Sequence, residues 1–489
     1  AQIENFQKKL FEKKKFVLED EYCLTLDRIP EKIRDTVFNE VLENENQLQE
    51  WEELYGENIK EIEDLYQEEA NLFDTESLKK LVIDTKHFDN GFKEKLLDSY
   101  NNIDDEIEGL MINSENFQAL NLMMEKYKGK VKAIYIDPPY NTGGDEFVYK
   151  DNYQHSSWLT MMENRLKLAT KLMADDGVIF VSIDDNEVAD LRLLLEKIFN
   201  DNMISTLIWK RKKQPSFLSQ VGTVTEYILV FSKDKNLIDK LSVEKVSDET
   251  KRVDNYSNNI SERIIRKGIE YKGDPNCIIK KGTYKNKTMI TEFLDDVKIK
   301  DGITQNEFRA RAKFRNVQED IDKFCEKKLL YITANNSFRR YASEKELKRD
   351  KAISNLLLDW GTNQDSNSEM KSLFSEEESF SFPKPLKLIK NIVKSVIDKE
   401  CIIMDFFAGS GTTGHACLDL NKEDDGKRKY IQVELGNYFY TTMLPRIKKV
   451  MYSQEWIDGK PQDNDGYSHF FKYQSLEQYE DSLDNIKFA

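Results

Sequence analysis

The chain has 489 residues, of which 39% are hydrophobic, and a formal net charge of −16 at pH 7. This length accommodates two to four domains with sizeable cores. No apolar run approaches the roughly 18 residues that span a bilayer, and the first twenty residues are too charged for a signal peptide, so no membrane association is expected. The five cysteines are scattered, which disfavours a disulfide framework and predicts reduced thiols in a cytoplasmic protein. The chain has only four histidines, which disfavours a histidine metal site.

Charge is unevenly distributed along the chain. Residues 1–110 hold 30 acidic and 14 basic residues, whereas residues 201–350 hold 32 basic and 23 acidic residues. The negative net charge is therefore a property of the N-terminal region. The basic middle of the chain is compatible with a nucleic-acid partner.

Residues 1–105 are predicted to be helical, because Glu, Lys, Leu and Gln dominate and apolar residues recur at helical spacing between Val41 and Tyr66. We interpret the charges as a solvated helix surface. A docking surface for another subunit is the alternative.

Strands and helices alternate from Gly109 to Phe231. Apolar runs predict strands at 110–113, 131–136, 178–183, 206–209 and 226–231, and helices at 115–127, 158–173 and 187–199 lie between them. Such alternation predicts a mostly parallel, doubly wound sheet.

The alternation stops between residues 235 and 375, where short basic segments are interleaved with aromatic residues. This composition is compatible with a nucleic-acid surface, although an ordinary α+β domain has a similar one. Residues 361–381 are rich in Ser, Asn and Glu and predict a flexible linker. The candidate DNA-binding residues are Lys210, Arg211, Lys212, Lys213, Arg309, Arg311, Arg315, Arg339 and Arg340.

The strand–helix alternation resumes after residue 382. A helix is predicted at 386–397, and strands are predicted at 402–407 and 429–434. The last forty residues are aromatic and acidic, with a closing helix expected near 476–486. A helix at that position suggests that the sequence is one part of a longer protein.

A rigid turn follows the strand predicted at 131–136. The turn consists of Asp137, Pro138, Pro139 and Tyr140. It ends the strand because the two prolines prevent both continued sheet pairing and an immediate helix. Open α/β sheets bind ligands at the carboxyl ends of their strands. The carboxylate, carbonyl groups and aromatic ring of this turn suit a planar group with an exocyclic amine. A purely structural Pro-Pro turn is the alternative.

Residues 409–414 form a second motif, G-x-G-x-x-G, between a predicted strand and helix. Glu434 ends the next strand about twenty residues later, where a nucleotide-binding carboxylate holds ribose hydroxyls. His415 and Ala416 replace the Lys and Ser/Thr of a phosphate-binding P-loop, so ATP hydrolysis is set aside. The loop alone leaves a dinucleotide dehydrogenase and an S-adenosylmethionine enzyme open. Of these, an amine methyltransferase needs both motifs.

The two motifs resemble those of amino-group DNA methyltransferases. Asp-Pro-Pro-Tyr precedes Asp-x-Phe-x-Gly-x-Gly, with the basic region between them, and this order resembles the beta class. The fuller similarity is to modification subunits of Type III restriction–modification systems, over roughly residues 80–475. The matching segments are 113–117, 137–141, 177–187, 226–231, 382–385 and 405–414.

This resemblance implies an α/β fold: a permuted, Rossmann-like, seven-stranded methyltransferase sheet with an inserted α+β target-recognition domain and a helical N-terminal region. The implied domains are an acidic helical region (1–105), the catalytic half (106–234), the target-recognition domain (235–375), the S-adenosylmethionine-binding half (376–452) and a C-terminal tail (453–489).

The resemblance also implies residue roles, with the target base flipped out of the duplex. Asp137 accepts a hydrogen bond from the adenine N6 amine, Pro138 offers its carbonyl, Pro139 completes the turn and Tyr140 stacks on the base. The implied cofactor residues are Asp405, Phe407, Gly409, Gly411, Thr412, Glu434, Lys384, Pro385 and Asn113. In that scheme Glu434 holds the ribose, and Lys384 and Pro385 approach the methionine end. Many relatives carry Gly-Asp where this chain has 113–116, which puts that contact in question.

We therefore predict site-specific adenine-N6 methylation of double-stranded DNA with S-adenosylmethionine and no metal. Asp137 rather than Ser before Pro-Pro-Tyr favours adenine N6 over cytosine N4, the runner-up. Carbon-5 methylation is excluded because it uses a Pro-Cys thiolate, which is absent. A non-catalytic DNA-recognition subunit is the alternative from another class. Relatives are often dimers and often partner a restriction subunit, and the acidic N-terminal region is a candidate surface for either.

Overall fold

The computed structural model describes residues 17–56, 78–142, 154–215, 220–245, 249–286, 289–347, 350–375 and 383–477. The chain divides into two compact units. The first comprises Ala1–Leu241 and Ile353–Ala489, and the second comprises Ser242–Ala352. Within the described ranges, no helix combines the length and the apolar character that crossing a bilayer requires.

The part of the first unit that precedes the second contains seven strands among its described residues. The strands are β1 (Val17–Thr25), β2 (Val82–Asp84), β3 (Gly109–Asn113), β4 (Val131–Ile136), β5 (Met173–Ile183), β6 (Met203–Lys210) and β7 (Thr225–Ser232). The α-helices are Arg34–Leu42, Glu45–Tyr55, Asn90–Leu97, Ile103–Glu106, Asn116–Leu122, Met124–Tyr127, His155–Leu172 and Val188–Ile198. Short 3-10 helices are Leu26–Arg28, Glu31–Ile33 and Thr85–His87.

The second unit consists mainly of short strands. They are β8 (Ser242–Lys245), β9 (Thr250–Arg252), β10 (Ser261–Ile265), β11 (Glu270–Tyr271), β12 (Ile278–Ile279), β13 (Gly282–Asn286), β14 (Met289–Phe293), β15 (Val297–Lys300), β16 (Ile303–Thr304), β17 (Phe308–Ala312), β18 (Leu330–Ile332), β19 (Phe338–Tyr341) and β20 (Asp350–Ala352). Its helices are Gln318–Glu326 and Glu344–Leu347. A four-stranded sheet has the order β10-β17-β14-β13, and a seven-stranded sheet has the order β12-β15-β16-β11-β18-β19-β9. This unit spans fewer residues, Ser242–Ala352, than the domain expected at 235–375.

The first unit continues after the second. Its later strands are β21 (Leu356–Leu357), β22 (Ile402–Asp405), β23 (Lys429–Glu434), β24 (Trp456–Ile457), β25 (Lys460–Pro461) and β26 (Phe470–Leu476). Its later helices are Asn363–Phe374, Leu386–Ser395, Thr412–Asp424 and Leu444–Tyr452, with a π-helical turn at Phe439–Met443.

The main sheet has the order β2-β1-β26-β3-β23-β22-β4-β5-β7-β6-β21. Its seven consecutive strands from β3 to β6 are parallel except β7, which is antiparallel to both of its neighbours. Because β22 and β23 pair between β3 and β4 although they come much later in the chain, the strand order is permuted. The predicted α/β fold is confirmed, and four further strands extend the seven.

Both faces of the sheet are covered. Ile134 and Ile136 of β4 belong to one core cluster, together with apolar residues of the helix His155–Leu172. Ala133 and Tyr135 of the same strand belong to another cluster, with residues of the helix Leu386–Ser395. Side chains of a strand alternate between faces, so a strand apolar at every position requires helices on both sides.

The described part of the N-terminal region contains helices, as predicted, and also two strands that we did not predict. Residues 1–16 and 57–77 of the predicted helical region lie outside the described ranges. Strand β1 pairs antiparallel with β26, which in turn pairs parallel with β3. Only the second half of β1 is fully buried. Its first half carries acidic residues at 19–21, which hide the strand pattern in the sequence.

Two further predictions differ from the structure. A helix, Asn363–Phe374, lies within the expected linker, and a capping box formed by Thr362 and Asp365 begins it. Leu476, where a helix was expected to begin, ends strand β26. Residues 376–382 of the expected linker and 478–486 of the expected closing helix lie outside the described ranges.

A buried ion-pair network attaches the N-terminal region to the second half of the first unit. Lys448 Nζ lies 2.6 Å from Asp84 Oδ2 and 2.7 Å from Glu50 Oε1. The side chains of Lys448 and Asp84 are 3% and 0% exposed. Tyr473 also donates a hydrogen bond to Asp84 at 3.0 Å. Charges this deeply buried are tolerated because they neutralise one another.

Removing the ammonium should therefore destabilise the fold strongly. We expect Lys448→Met to lower the free energy of unfolding by about 3–5 kcal/mol, since it leaves buried carboxylates without a counter-ion. Urea unfolding measures this effect. Lys427→Met is the control, because its side chain is 79% exposed and the expected change is within about 0.5 kcal/mol. Equal effects of the two substitutions would contradict the role given to the network.

Candidate active site

The Asp-Pro-Pro-Tyr turn is held rigidly at the carboxyl end of β4. Pro138 and Pro139 are both buried. The indole Nε1 of Trp158, itself fully buried, donates a hydrogen bond to the Pro139 carbonyl at 2.8 Å. The helix His155–Leu172 therefore fixes the turn from one side, which fixes the direction of the flanking Asp137 and Tyr140.

The ammonium group of Lys384 links this turn to Glu226, at the start of β7. Lys384 Nζ lies 2.8 Å from Asp137 Oδ2, 3.0 Å from the Tyr140 hydroxyl and 3.5 Å from Glu226 Oε2. Glu226 lies at the start of β7. Because β7 is antiparallel to β5, its start lies at the edge where the parallel strands end. The Tyr140 hydroxyl donates to Glu226 Oε2 at 3.1 Å.

The charges of this cluster determine its protonation. Burial, together with the Asp137 and Glu226 carboxylates, raises the pKa of Tyr140, which keeps its hydroxyl protonated. Burial disfavours the Lys384 ammonium, but the same two carboxylates outweigh it and raise the pKa of Lys384. Arg211 Nη1 lies 3.3 Å from Glu226 Oε1. Two carboxylates and two cations thus balance at one edge.

One oxygen of this cluster is not used by the protein. Asp137 Oδ1 is buried and makes no hydrogen bond with any described residue. A buried carboxylate oxygen without a donor is costly. It is the acceptor that an amine at this position would satisfy.

The glycine loop follows β22, the neighbour of β4 in the sheet. Gly411 adopts φ +80°, and a Cβ on it would lie 3.0 Å from Met443 Cγ. A Cβ on Gly414 would lie 2.5 Å from Gln432 Oε1. The left-handed backbone at Gly411 favours glycine, and at Gly414 a side chain would have to displace Gln432 because the helix lies close to β23.

Glu434 ends β23 and is 1% exposed. Its Oε2 accepts from the Gly409 N–H at 2.9 Å, and its Oε1 accepts from the N–H groups of Leu435 and Gly436 at 2.7 and 3.0 Å. Burial raises its pKa despite these donors. Asn113 Nδ2 donates to the Glu434 carbonyl at 3.1 Å, so Asn113 supports the backbone that follows β23.

Asp405 ends β22 and is also buried. It accepts hydrogen bonds from Thr413 Oγ1 at 2.6 Å and from the Phe407 N–H at 3.1 Å. Burial outweighs these two bonds and raises the pKa of Asp405 to about 7. Asp405 therefore ties the first turn of the helix Thr412–Asp424 to the strand.

Lys384 contacts both motifs. Its ammonium contacts the Asp-Pro-Pro-Tyr turn, and its backbone carbonyl accepts from Thr412 Oγ1 of the glycine loop at 3.4 Å. Pro385 caps the helix Leu386–Ser395. Lys384 thus bridges the two motifs.

Sequence reasoning assigned no role to Glu226, Trp158 or Arg446. Arg446 is 1% exposed, and its Nη1 donates to Thr412 Oγ1 at 2.8 Å and to Ser410 Oγ at 3.1 Å. It supports the glycine loop from behind, and burial lowers its pKa to about 10. An acid at the start of an apolar strand was a usable signal for Glu226. No local signal distinguishes Arg446 from the neighbouring Lys448.

Several of the predicted DNA-binding residues form ion pairs within the protein. In the second unit, Arg309 pairs with Asp295 at 3.0 Å, and Arg311 pairs with Glu262 at 3.0 Å. Arg340 pairs with Glu346 at 2.7 Å. Arg339 Nη2 donates to Thr250 Oγ1 at 3.0 Å. In the first unit, Lys210 ends β6, Arg211 pairs with Glu226, and Lys212 and Lys213 are exposed. Arg315 of the second unit is also exposed.

The raised pKa of Asp405 should make stability depend on pH. Its folded pKa lies above the roughly 3.9 of an unfolded carboxyl, so the stability it contributes is present below pH 4 and is lost as pH rises through about 7. We expect Asp405→Asn to be more destabilising at pH 5 than at pH 8 in urea unfolding. The control is Asp175→Asn, at a side chain 83% exposed, whose effect should not change with pH. An effect of Asp405→Asn independent of pH would contradict the assignment.

Comparison with known proteins identifies the family. The model of a family described as DNA methylase, of the N6/N4 type, matches residues 131–444. The Type III restriction-modification enzyme StyLTI Mod subunit of Salmonella typhimurium is 32% identical over 66% of this chain and 51% of that protein. The Type III EcoP15I Mod subunit of Escherichia coli is 31% identical over 67% of this chain and 58% of that protein.

The chain spans about half the length of the curated relatives it matches. Among solved structures, the cytosine-N4-specific PvuII DNA methyltransferase aligns with TM-score 0.36 and 13% identity over 70% of this chain and 86% of that one. The family match covers the catalytic turn, the glycine loop and every strand between them. This chain belongs to the N6/N4 DNA methylase family.

Proposed function

We propose that this chain is a site-specific DNA methyltransferase that transfers a methyl group from S-adenosylmethionine to N6 of adenine. The observation that carries the proposal is the position of the two motifs. The Asp137 turn follows β4, and the glycine loop follows β22. These two strands are adjacent and parallel. An amine-binding turn and a cofactor loop are thus side by side. Membership of the family, and relatives named as modification subunits, support the same activity.

The residues present fit S-adenosylmethionine. Gly409 and Gly411 have left-handed backbone and no side chain to shield the loop. Glu434 provides a buried carboxylate at the end of the next strand, where ribose hydroxyls are bound in related sites. The carboxyl groups of Asp405 and Glu434 end the adjacent strands β22 and β23, and the negative potential there suits a sulfonium cation. When bound, the cofactor supplies the methyl group.

The residues of the catalytic turn act mainly by positioning. Asp137 accepts a hydrogen bond from the amine and Pro138 offers its carbonyl, which draws the nitrogen lone pair out of conjugation with the ring. Tyr140 stacks on the base, and Trp158 prevents the turn from shifting. Holding the nitrogen and the methyl group in line converts a bimolecular reaction into an oriented one.

The proposal extends to partners. Double-stranded DNA is the substrate, with the base flipped out of the duplex because N6 cannot be reached within it. The second unit is the candidate target-recognition domain. The relatives are subunits of restriction-modification enzymes, so a restriction subunit and a second copy of this chain are the proposed protein partners, in the cytoplasm where the DNA lies.

Asp137 should be essential for transfer. We expect Asp137→Ala to reduce methylation by at least about 100-fold, because the amine loses its carboxylate acceptor. Calorimetry should show cofactor affinity within about threefold of wild type, since Asp137 is not on the glycine loop. The measurement is incorporation of labelled methyl into DNA, with identification of the modified nucleoside, and Asp175→Ala is the control. Methylation retained in Asp137→Ala would overturn the assignment, and methylcytosine would overturn the choice of base.

The exposed pair Lys212 and Lys213 should contact phosphates. We expect the Lys212→Ala/Lys213→Ala double variant to reduce the salt dependence of DNA binding, lowering the slope of log K against log salt by about 2. The control is Lys427→Ala, which should leave the slope unchanged. An unchanged slope in the double variant would place the phosphate contacts elsewhere.

A further inference from the structure

Glu226 is the buried carboxylate of the active-site edge that the proposed mechanism does not use. It is 4% exposed. Its Oε1 lies 3.3 Å from Arg211 Nη1, and its Oε2 accepts from the Tyr140 hydroxyl at 3.1 Å and lies 3.5 Å from Lys384 Nζ. Both oxygens therefore face groups of the catalytic cluster.

The Lys384 ammonium is closest to Asp137, at 2.8 Å. Asp137 is also the group that must accept the amine of the base. A neutral aromatic amine is a weaker partner for a carboxylate than an ammonium, since charge-assisted hydrogen bonds are the stronger ones. The positive charge of Lys384 beside Asp137 also disfavours the approach of a second cation, such as the sulfonium of the proposed cofactor. In the arrangement seen, Lys384 holds Asp137 Oδ2, and its positive charge weakens the remaining oxygen, Oδ1, as an acceptor for the amine.

The geometry provides a second acceptor for the same ammonium. A movement of less than about 1 Å brings Lys384 Nζ within normal hydrogen-bond distance of Glu226 Oε2. The Tyr140 hydroxyl touches both Lys384 and Glu226, so it stays bonded during that movement. The buried ammonium then keeps a counter-ion throughout, which avoids the penalty of an unpaired buried charge.

We propose that Glu226 is a positioning residue that takes over the Lys384 ammonium and so leaves the full negative charge of the Asp137 carboxylate to the amine of the target base. This inference rests on the proposed function, because it concerns when Asp137 can accept the substrate. Arg211 orients the Glu226 carboxylate through its other oxygen. Lys384 is then a gate on the catalytic carboxylate, in addition to any contact with the cofactor loop.

The test is a double-mutant cycle in the full chain, with kcat and KM measured on duplex DNA. We expect Glu226→Gln to lower kcat on the order of 10-fold, because the ammonium stays on Asp137, with cofactor affinity unchanged in calorimetry. Lys384→Met removes the ammonium that weakens Asp137. In the Lys384→Met background, adding Glu226→Gln should change kcat by less than about threefold, and the double variant should be more active than Glu226→Gln alone.

The control is a second buried carboxylate beside the turn. Glu187 is 1% exposed and accepts from Asn141 Nδ2 at 2.6 Å. We expect Lys384→Met to give no recovery in a Glu187→Gln background. If the Glu226→Gln single variant does not fold, the pair in the Lys384→Met background still decides the question. Both chains of that pair lack the ammonium and differ only at residue 226, so a loss well above threefold between them would overturn the inference.

The outcomes separate the inference from the proposed function. Wild-type chain that methylates no DNA would overturn the proposed function. Active wild type combined with equal losses from Glu226→Gln in both backgrounds would overturn the inference and leave Glu226 as a structural residue. Recovery restricted to the Glu226 series supports the gate.

Discussion

The constraint on which this structure depends is the gathering of buried and half-buried acidic side chains at one edge of a largely parallel sheet. Asp137, Asp405 and Glu434 end the neighbouring strands β4, β22 and β23, and Glu226 begins β7 at the same edge. Carboxylates brought this close repel one another and lose hydration. Each is compensated differently. Lys384 and Arg211 neutralise two of them, backbone N–H groups solvate Glu434, and Asp405 has a raised pKa.

This compensation explains why residues far from the two motifs matter to the site. Arg446 donates to Ser410 and Thr412 behind the glycine loop, and Trp158 holds the catalytic turn through one carbonyl. Both residues are buried and lie outside the two motifs in the sequence. Their contacts hold the loop and the turn in place, which is the usual requirement of a preorganised site.

Much of the first unit was predictable, because its buried strands are continuous apolar runs and its site motifs have fixed spacing. The capping box of Thr362 and Asp365 was readable too, but the polar composition of the segment suggested a linker. Strand β1 was not predictable, since its partner β26 comes from the far end of the chain. The roles of Glu226 and Lys384 depend on which side chains meet across the sheet, which spacing does not reveal. Composition likewise showed a basic middle region but not that Arg309, Arg311 and Arg340 each have an acidic partner.

The pairing of β1 with β26 has a consequence for how the protein is made. During synthesis β1 leaves the ribosome long before β26 exists. Its other edge can pair early with β2, but the edge that faces β26 has no partner until almost all of the described chain has been translated. Pairings between strands so distant in sequence form slowly, and an unpaired edge is open to association with other chains. The acidic residues at 19–21 lie on this strand, and their like charges repel the same strand of another, incompletely folded chain. The acidity that obscures β1 in the sequence thus opposes its association with other chains until β26 has been synthesised.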